Sequence, residues 1–370
     1  MSFVSVKTPF VGFRRIGVAL LLFCLGLAMV IVVAADEAPL VRKNVSFVHA
    51  GNILQGVLVL PSTAATLDSC VIFVHGSGDT PRDAYGYYEP LWHLFAEKGW
   101  CSLSWDKPGV GDSEGDWQLQ SMEDRASEVA AAIEFLRTEM DNGEGQIGLI
   151  GFSQAGWVLP KVANQRDDVT FLISVSGAVN WIEQSRYSGR QRMMAEGLSG
   201  QEIEAAEDAA GAINALIQSD APYTAYLSYI AGEVDVKPMS EAFWGFVKHN
   251  WRADVRTDLQ AIHVPMLALF GSYDAYVDPD SSANAYRQLL GLSAVPFFEV
   301  RLFDHADHGL MKAEQRKPAH QGVAAWLTLL KIWFLGGDIF ADGVLAGLAN
   351  WLDKFSEPGI TFAREDDRLT

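Results

Sequence analysis

The sequence predicts an α/β fold, a mostly parallel sheet with helices on both faces and an inserted helical cap, and three observations carry that prediction. First, short runs that are apolar throughout, such as Cys70 to Val74 and Met266 to Phe270, alternate with longer segments of helical periodicity. A strand without polar alternation is buried on both faces, as in a parallel sheet under two layers of helices. Second, these runs stop in loops of glycines and polar residues: His75-Gly76-Ser77-Gly78 after the one, Gly271-Ser272-Tyr273-Asp274 after the other. Sites in such sheets gather at the carboxyl ends of the strands. Third, Gly151-Phe152-Ser153-Gln154-Ala155-Gly156 joins a strand-like run, Gln146 to Ile150, to a helix-like one, Ala155 to Asn164. Small residues on both sides of a serine let a strand turn sharply into a helix with the hydroxyl at the apex.

Residues 1–35 have the make-up of an export signal. Lys7, Arg14 and Arg15 precede the apolar run Ile16 to Val33, and Val33-Ala34-Ala35 offers small residues for cleavage. The run is also just long enough to span a bilayer, so an uncleaved N-terminal anchor is the alternative. The expected location is therefore exported, periplasmic or extracellular. Two strands follow, Val41 to His49 and Ile53 to Leu60, around a turn at Ala50-Gly51-Asn52. After the strand Cys70 to Val74 comes a helix from Pro90 to Lys98 closed by Gly99, then a strand from Trp100 to Trp105. Ser121 caps a helix running to Met140, with Met122, Val129, Ile133 and Leu136 on one face.

A strand from Thr170 to Ser176 ends the first part of the core. Residues 181–263 differ in character; Ser199-Gly200-Gln201-Glu202 is a capping box that opens an alanine-rich helix, and the whole block reads as a helical cap. The core then resumes with the strand Met266 to Phe270, a helix from Pro279 to Leu290, a strand from Phe297 to Phe303 and a closing helix from Asp342 to Phe355. The expected domains are thus an α/β core in two pieces, 36–180 and 264–357, the cap 181–263, and a loose tail 358–370.

With 49% hydrophobic and 20% charged residues the chain can bury a large core. Its formal net charge is −18; removal of residues 1–35, with their three basic groups, leaves 25 basic and 46 acidic residues, net −21. That balance excludes nucleic acid and anionic membrane surfaces as partners, so membrane contact arises only if residues 16–33 remain as an anchor. Cys70 and Cys101 each lie five residues before a loop-starting residue, His75 and Asp106, on strands expected to be neighbours. A bridge is within reach, but side-by-side parallel strands rarely give good disulfide geometry, and the expectation is two small buried thiols.

The reactive residue types fall at the carboxyl strand ends: His75, Ser77, Asp106, Ser153, Asp274, His305 and His308. A serine hydroxyl is a poor nucleophile until a histidine takes its proton, and an acid must hold that histidine in the useful tautomer. With these residues in order Ser, Asp, His, the sequence resembles the α/β-hydrolase superfamily, and within it bacterial secreted esterase-type hydrolases. The likeness rests on His75 to Gly78, Arg82-Asp83, and the segment Asp106-Lys107-Pro108-Gly109-Val110-Gly111-Asp112-Ser113. It covers roughly residues 45–176 and 264–310 and not the cap. The resemblance implies Ser153 as nucleophile, Asp274 as acid and His308 as base, with an oxyanion hole from the backbone N–H groups of Ser77 and Gln154. Here Ala155 stands where the family pattern has glycine, and Gly156 follows it. His75 is expected to brace its loop, Asp106 to organise the turn after its strand, and His305 to brace the loop or face solvent.

The resulting expectation is a serine hydrolase that cleaves an ester or related acyl bond of a small-molecule substrate through an acyl-enzyme, without a cofactor. A peptidase of the same fold is the alternative; it would draw a carboxylate cluster for a free amine from Glu183, Glu202, Glu204 and Glu233. A non-catalytic binding domain is a third reading, set against the retention of all three reactive residues. Metal binding is not expected, because Asp304, His305, Asp307 and His308 are crowded together without a second ligand cluster. The glycines after Asp106 lack the spacing of a dinucleotide site. The cap aromatics Trp181, Tyr187, Tyr223, Tyr226, Tyr229, Phe243 and Trp244 either line the pocket or form the cap's own core.

Overall fold

The computed structural model describes residues 40–62, 67–140, 145–232, 238–318 and 330–355. The export-signal or anchor expectation for residues 1–35 and the tail at 358–370 lie outside the described residues. Eight strands among the described residues form one sheet: β1 Val41–His49, β2 Asn52–Leu60, β3 Ser69–Val74, β4 Cys101–Trp105, β5 Gln146–Phe152, β6 Phe171–Val175, β7 Met266–Gly271 and β8 Phe298–Phe303. Their order is β1-β2-β4-β3-β5-β6-β7-β8. β1, β2 and β4 pair antiparallel; from β4 onward every pairing is parallel. The β1–β2 hairpin turns on Ala50 and Gly51, both at positive φ (48° and 82°). That is the backbone of the two-residue turn whose twist matches paired strands, and Asn52 already pairs with His49.

The apolar strands are explained by where their alternate residues go. Cys70, Ile72 and Val74 pack into one hydrophobic layer while Val71 and Phe73 enter the layer on the opposite face. The first layer is closed by helices α2 Met122–Glu139, α3 Leu159–Gln165 and α9 Pro279–Gly291, the second by α1 Glu89–Glu97 and α10 Val344–Asp353. Helix α2 starts at a capping box of Ser121 and Asp124 and buries Met122, Val129, Ile133 and Leu136. The segment after the elbow differs from the sequence expectation. The strand continues through Phe152, residues 153–157 form a 3₁₀ turn, and the α-helix begins only at Leu159. Pro160 accounts for the late start, since a proline lacking N–H fits an α-helix only within its first turn.

Between β6 and β7 lie α4 Trp181–Ala195, α5 Gly200–Gln218, α6 Tyr223–Ile230, α7 Glu241–Asn250 and α8 Arg256–Gln260. The α5 capping box of Ser199 and Glu202 is present. These helices hold a small core of their own, in which Tyr226 stacks on Trp244 with ring centroids 4.7 Å apart among Ile217, Ile230 and Val247. No helix among the described residues is long and apolar enough to cross a membrane.

The expectation of two free buried thiols is overturned. Cys70 and Cys101 are direct register partners on β3 and β4, with α-carbons 4.4 Å apart, and they form a disulfide. That approach lies at the close end of the range a bridge tolerates, and direct register rather than mere matching depth is what brings it about.

Candidate active site

Ser153 stands at the carboxyl end of β5 with φ of +53°, a conformation that L residues adopt only where the surroundings impose it. The surroundings are visible in the flanking small residues. A side chain on Gly156 would meet the Gly177 backbone at 2.7 Å, and one on Gly151 would meet the Ala155 methyl and Leu159 at 2.8 Å. Ala155 is thus accepted because Gly151 leaves room for its methyl, while Gly156 must be bare where the elbow crosses the loop after β6.

Asp274 follows β7 and is fully buried. One carboxylate oxygen accepts from the backbone N–H groups of Tyr276 (2.7 Å) and Val277 (2.9 Å), and the other lies 2.7 Å from His308 Nδ1. With Nδ1 donating to Asp274, the lone pair of the neutral ring sits on Nε2. Burial alone would lower the His308 pKa, but the Asp274 charge and hydrogen bond, joined by Asp307, outweigh it and raise the pKa. The loop is braced by Asp307, which accepts from Gly309 N–H and Met311 N–H, both at 2.9 Å. His305 lies apart from this pair: its backbone N–H donates to Ser272 Oγ (3.0 Å) and its ring meets Tyr273 edge-on. The crowded Asp304 to His308 stretch therefore spreads its side chains rather than pooling them, and no metal-ligating cluster occurs among the described residues.

The loop after β3 lies directly against the elbow. A Cβ on Gly76 would come within 3.3 Å of the Phe152 carbonyl oxygen and 3.4 Å of Ser153 Cβ, so a larger residue would push the two backbones apart by a few tenths of an ångström. Gly76, Ser77, Ser153, Gln154 and His308 share one cleft. His75 is buried; its Nε2 donates to the Trp105 carbonyl and its Nδ1 accepts from Tyr88 Oη at 2.9 Å. Burial pushes its pKa down to about 3, so the ring stays neutral. Asp106 accepts from the backbone N–H (2.7 Å) and guanidinium (2.5 Å) of Arg82 and from Asp112 N–H (3.2 Å). Burial works against its charge, but the Arg82 bonds prevail and lower its pKa.

Two cations that the sequence reading did not single out stand behind this loop. Lys107 Nζ donates to the carbonyls of Gly76 (3.1 Å) and Gly78 (2.8 Å). Arg125 donates to the His75 carbonyl and to Gln154 Oε1 (2.6 Å). A signal for Arg125 was present, since helical spacing from Met122 and Val129 puts it on the buried face of α2, where an arginine needs an internal partner. For Lys107 the signal was its place in the Asp106 to Ser113 segment that carries the resemblance, which says nothing of what its ammonium would touch.

The cleft has a volume of about 550 Å³. Trp157, Trp181, Phe243 and Phe246 form one wall, with Trp157 stacked on Trp181 at 5.3 Å and Phe243 on Phe246 at 5.8 Å. Of the seven cap aromatics noted in the sequence, only Trp181 and Phe243 line it. Tyr187 donates to the Asp274 carbonyl (2.8 Å), and the rest pack within the cap helices. No aspartate or glutamate is among the described lining residues. Glu183 pairs with Arg256 at 2.6 Å, Glu202 is engaged in its capping box, Glu204 is exposed, and Glu233 lies outside the described residues.

A serine elbow, an oxyanion-type loop and a buried Asp–His pair at the carboxyl edge of this sheet are the layout of an α/β-hydrolase, and the class is that of the serine hydrolases. More narrowly, the chain belongs to the X-Pro dipeptidyl-peptidase (S15) family, whose pattern matches residues 50–308. No curated protein sequence matches the chain. Among solved structures it is similar to an esterase of Pyrococcus furiosus, at 15% identity over 86% of this chain and 92% of that one, with a TM-score of 0.53. It is also similar to the proline iminopeptidase of Mycobacterium smegmatis, at 15% identity over 85% of this chain and 99% of that one, with a TM-score of 0.51. At such identities the likeness is one of fold.

Proposed function

We propose that the protein hydrolyses carboxylic esters with an uncharged, apolar acyl group through an acyl-enzyme on Ser153. Ser153 Oγ attacks the acyl carbon while His308 Nε2 takes its proton, and Asp274 keeps the other ring proton on Nδ1. The oxyanion accepts from the backbone N–H groups of Ser77 and Gln154, donors worth about 10² to 10³ each in turnover. Collapse expels the alcohol, protonated by His308. A water deprotonated by the same nitrogen then attacks the acyl-enzyme and releases the acid and Ser153. Helices within 181–263 act as a lid whose Trp181 and Phe243 select the acyl group.

The observation that carries the ester reading over the peptidase one is the lining of the cleft. A dipeptidyl-peptidase must hold a protonated amino terminus, best served by a carboxylate, and the described lining offers aromatic rings and neutral groups such as Gln184 but no carboxylate. The family match favours the second reading, cleavage after an X-Pro dipeptide. Comparing kcat/KM for p-nitrophenyl butyrate and for alanyl-prolyl p-nitroanilide separates them, with Ser153→Ala as the control. A preference for the anilide would overturn the ester assignment. Turnover and phosphonate labelling that survive Ser153→Ala would overturn the nucleophile, and a wild-type chain that neither turns over nor labels would favour a binding domain.

A further inference from the structure

The loop that carries Ser77 is held from behind by two buried cations, and their targets are not scattered. The carbonyls of His75, Gly76 and Gly78 all end on Arg125 or Lys107. A trans peptide is planar, with its C=O and N–H pointing in opposite directions. The carbonyl of Gly76 and the N–H of Ser77 belong to the same peptide. Holding that oxygen toward Lys107 therefore aims the Ser77 N–H away from Lys107, and Ser77 lines the cleft while Lys107 does not. Arg125 likewise holds the His75 peptide by its oxygen and fixes the Gln154 side chain, next to the nucleophile.

Lys107 is 1% exposed, and its ammonium lies 4.7 Å from the Trp117 ring centroid. Burial, with the Arg125 charge nearby, pushes its pKa well below the ordinary lysine value, so an ammonium is kept there only by what it bonds, the Gly76 and Gly78 carbonyls and the Trp117 face. Methionine would fill the space but leave the Gly76 and Gly78 carbonyls without their donor. What an ammonium adds is direction and polarisation: a cation on the carbonyl oxygen draws electron density through the amide and strengthens its N–H as a donor.

We propose that Lys107 is a positioning residue for the oxyanion hole, acting through the Gly76–Ser77 peptide to aim and strengthen the Ser77 N–H. The inference rests on the assignment of Ser77 as an oxyanion donor and on Ser153 as nucleophile. It does not depend on whether the acyl group is an ester or a peptide.

The test compares wild type with Lys107→Met and Lys107→Gln. One arm follows phosphonylation of Ser153 by a p-nitrophenyl phosphonate, separating the maximal rate from the reagent's binding constant. A second arm records kcat and KM for p-nitrophenyl butyrate, and a third the melting temperature. For Lys107→Met the maximal phosphonylation rate and kcat should fall together by about ten- to a hundredfold, a typical part of an oxyanion donor's effect. KM and reagent binding should stay within about twofold, with the melting temperature lowered only slightly by the two carbonyls left without a donor. Lys107→Gln, which keeps N–H donors without the charge, should recover part of the rate. A phosphonylation rate within about twofold of wild type in Lys107→Met overturns the proposal. So does a loss shared by KM, reagent binding and melting temperature, which is general damage to the fold. Should Lys107→Met fail to fold, Lys107→Gln decides: a rate loss of at least about threefold at native melting temperature supports the positioning role, and a wild-type rate overturns it. A wild type that is phosphonylated at Ser153 but hydrolyses no ester removes the ester reading and leaves Lys107 judged on the phosphonylation rate.

Discussion

At the scale of single residues, the Asp274–His308 pair sets the sign of the pH dependence. His308 acts as a base only when neutral, and its pKa is raised because the Asp274 carboxylate outweighs the effect of burial. Activity should therefore rise with pH through a limb lying above the ordinary histidine value of about 6.5 and be lost below it. Asp274→Asn removes the stabilising charge, so the limb should move down while kcat falls by about 10³ to 10⁴. A limb that stays in place in Asp274→Asn would show that another group controls it. The two histidines of the loop separate in the same assay: His308→Ala should abolish the acylation burst, and His305→Ala, whose ring meets Tyr273 outside the cleft, should keep a substantial fraction of turnover. The reverse result would reassign the base. The positions of these residues after the strands were legible from punctuation and chain order, while their roles, and the choice of His308 over His305, came from the resemblance to the α/β-hydrolase superfamily. The bonds of Lys107 and Arg125 were not legible, because their partners lie 29 to 50 positions away in sequence and are, Gln154 apart, backbone carbonyls, which carry no side-chain signature.

Secondary-structure elements were readable where hydrophobic period and punctuation agree, as in β3 with its glycine loop or α2 with Ser121 at its start. The elbow was readable in outline but not in detail. Its serine and small residues identify the turn, yet the delay of α3 to Leu159 depends on Pro160 and on how closely Gly156 meets Gly177. That contact makes a prediction for the element. Gly156→Ala forces a methyl to within 2.7 Å of the Gly177 backbone, which has no flexible end to yield. Stability to urea should drop by about 1 to 3 kcal/mol or more, and activity should fall with it because the displaced turn carries Ser153. A variant as stable and active as wild type would mean that the elbow relaxes freely. In the cap helices, aromatic spacing could not decide between core and cleft, since both fates need the same buried face. Geometry divides them, and Trp181 tests the division. Trp181→Ala should lower kcat/KM for bulky apolar acyl esters by roughly ten- to a hundredfold, with acetate esters changed by only about threefold. Equal losses on every ester would make the cap structural support rather than a selector.

Across the whole molecule, the strand order joins the two halves of the site through neighbouring strands: β3 leads to the loop of Ser77, β4 to Lys107, β5 to Ser153. The Cys70–Cys101 bridge ties β3 to β4 five residues before His75 and Asp106, toward the opposite ends of the strands from that junction. Such bridges persist in oxidising compartments. Register was the part that could not be read in advance, because equal depth on two strands does not say that the cysteines face each other across a ladder. With a sequence separation of 31, the closed loop should add about 4 kcal/mol by restricting the unfolded chain. Both cysteines are buried, so a reductant without denaturant should leave activity unchanged, whereas unfolding in its presence should expose both thiols and lower the unfolding free energy. The paired change Cys70→Ala with Cys101→Ala should lower the unfolding free energy by a large part of that amount while leaving KM unaltered, because neither residue reaches the cleft. Thiol titration of the denatured, unreduced chain decides the bridge itself: free thiols at both Cys70 and Cys101 would dispose of it. In that case β3 and β4 would be held by packing and ladder hydrogen bonds alone, and the loop of Ser77 would depend all the more on its cationic anchors.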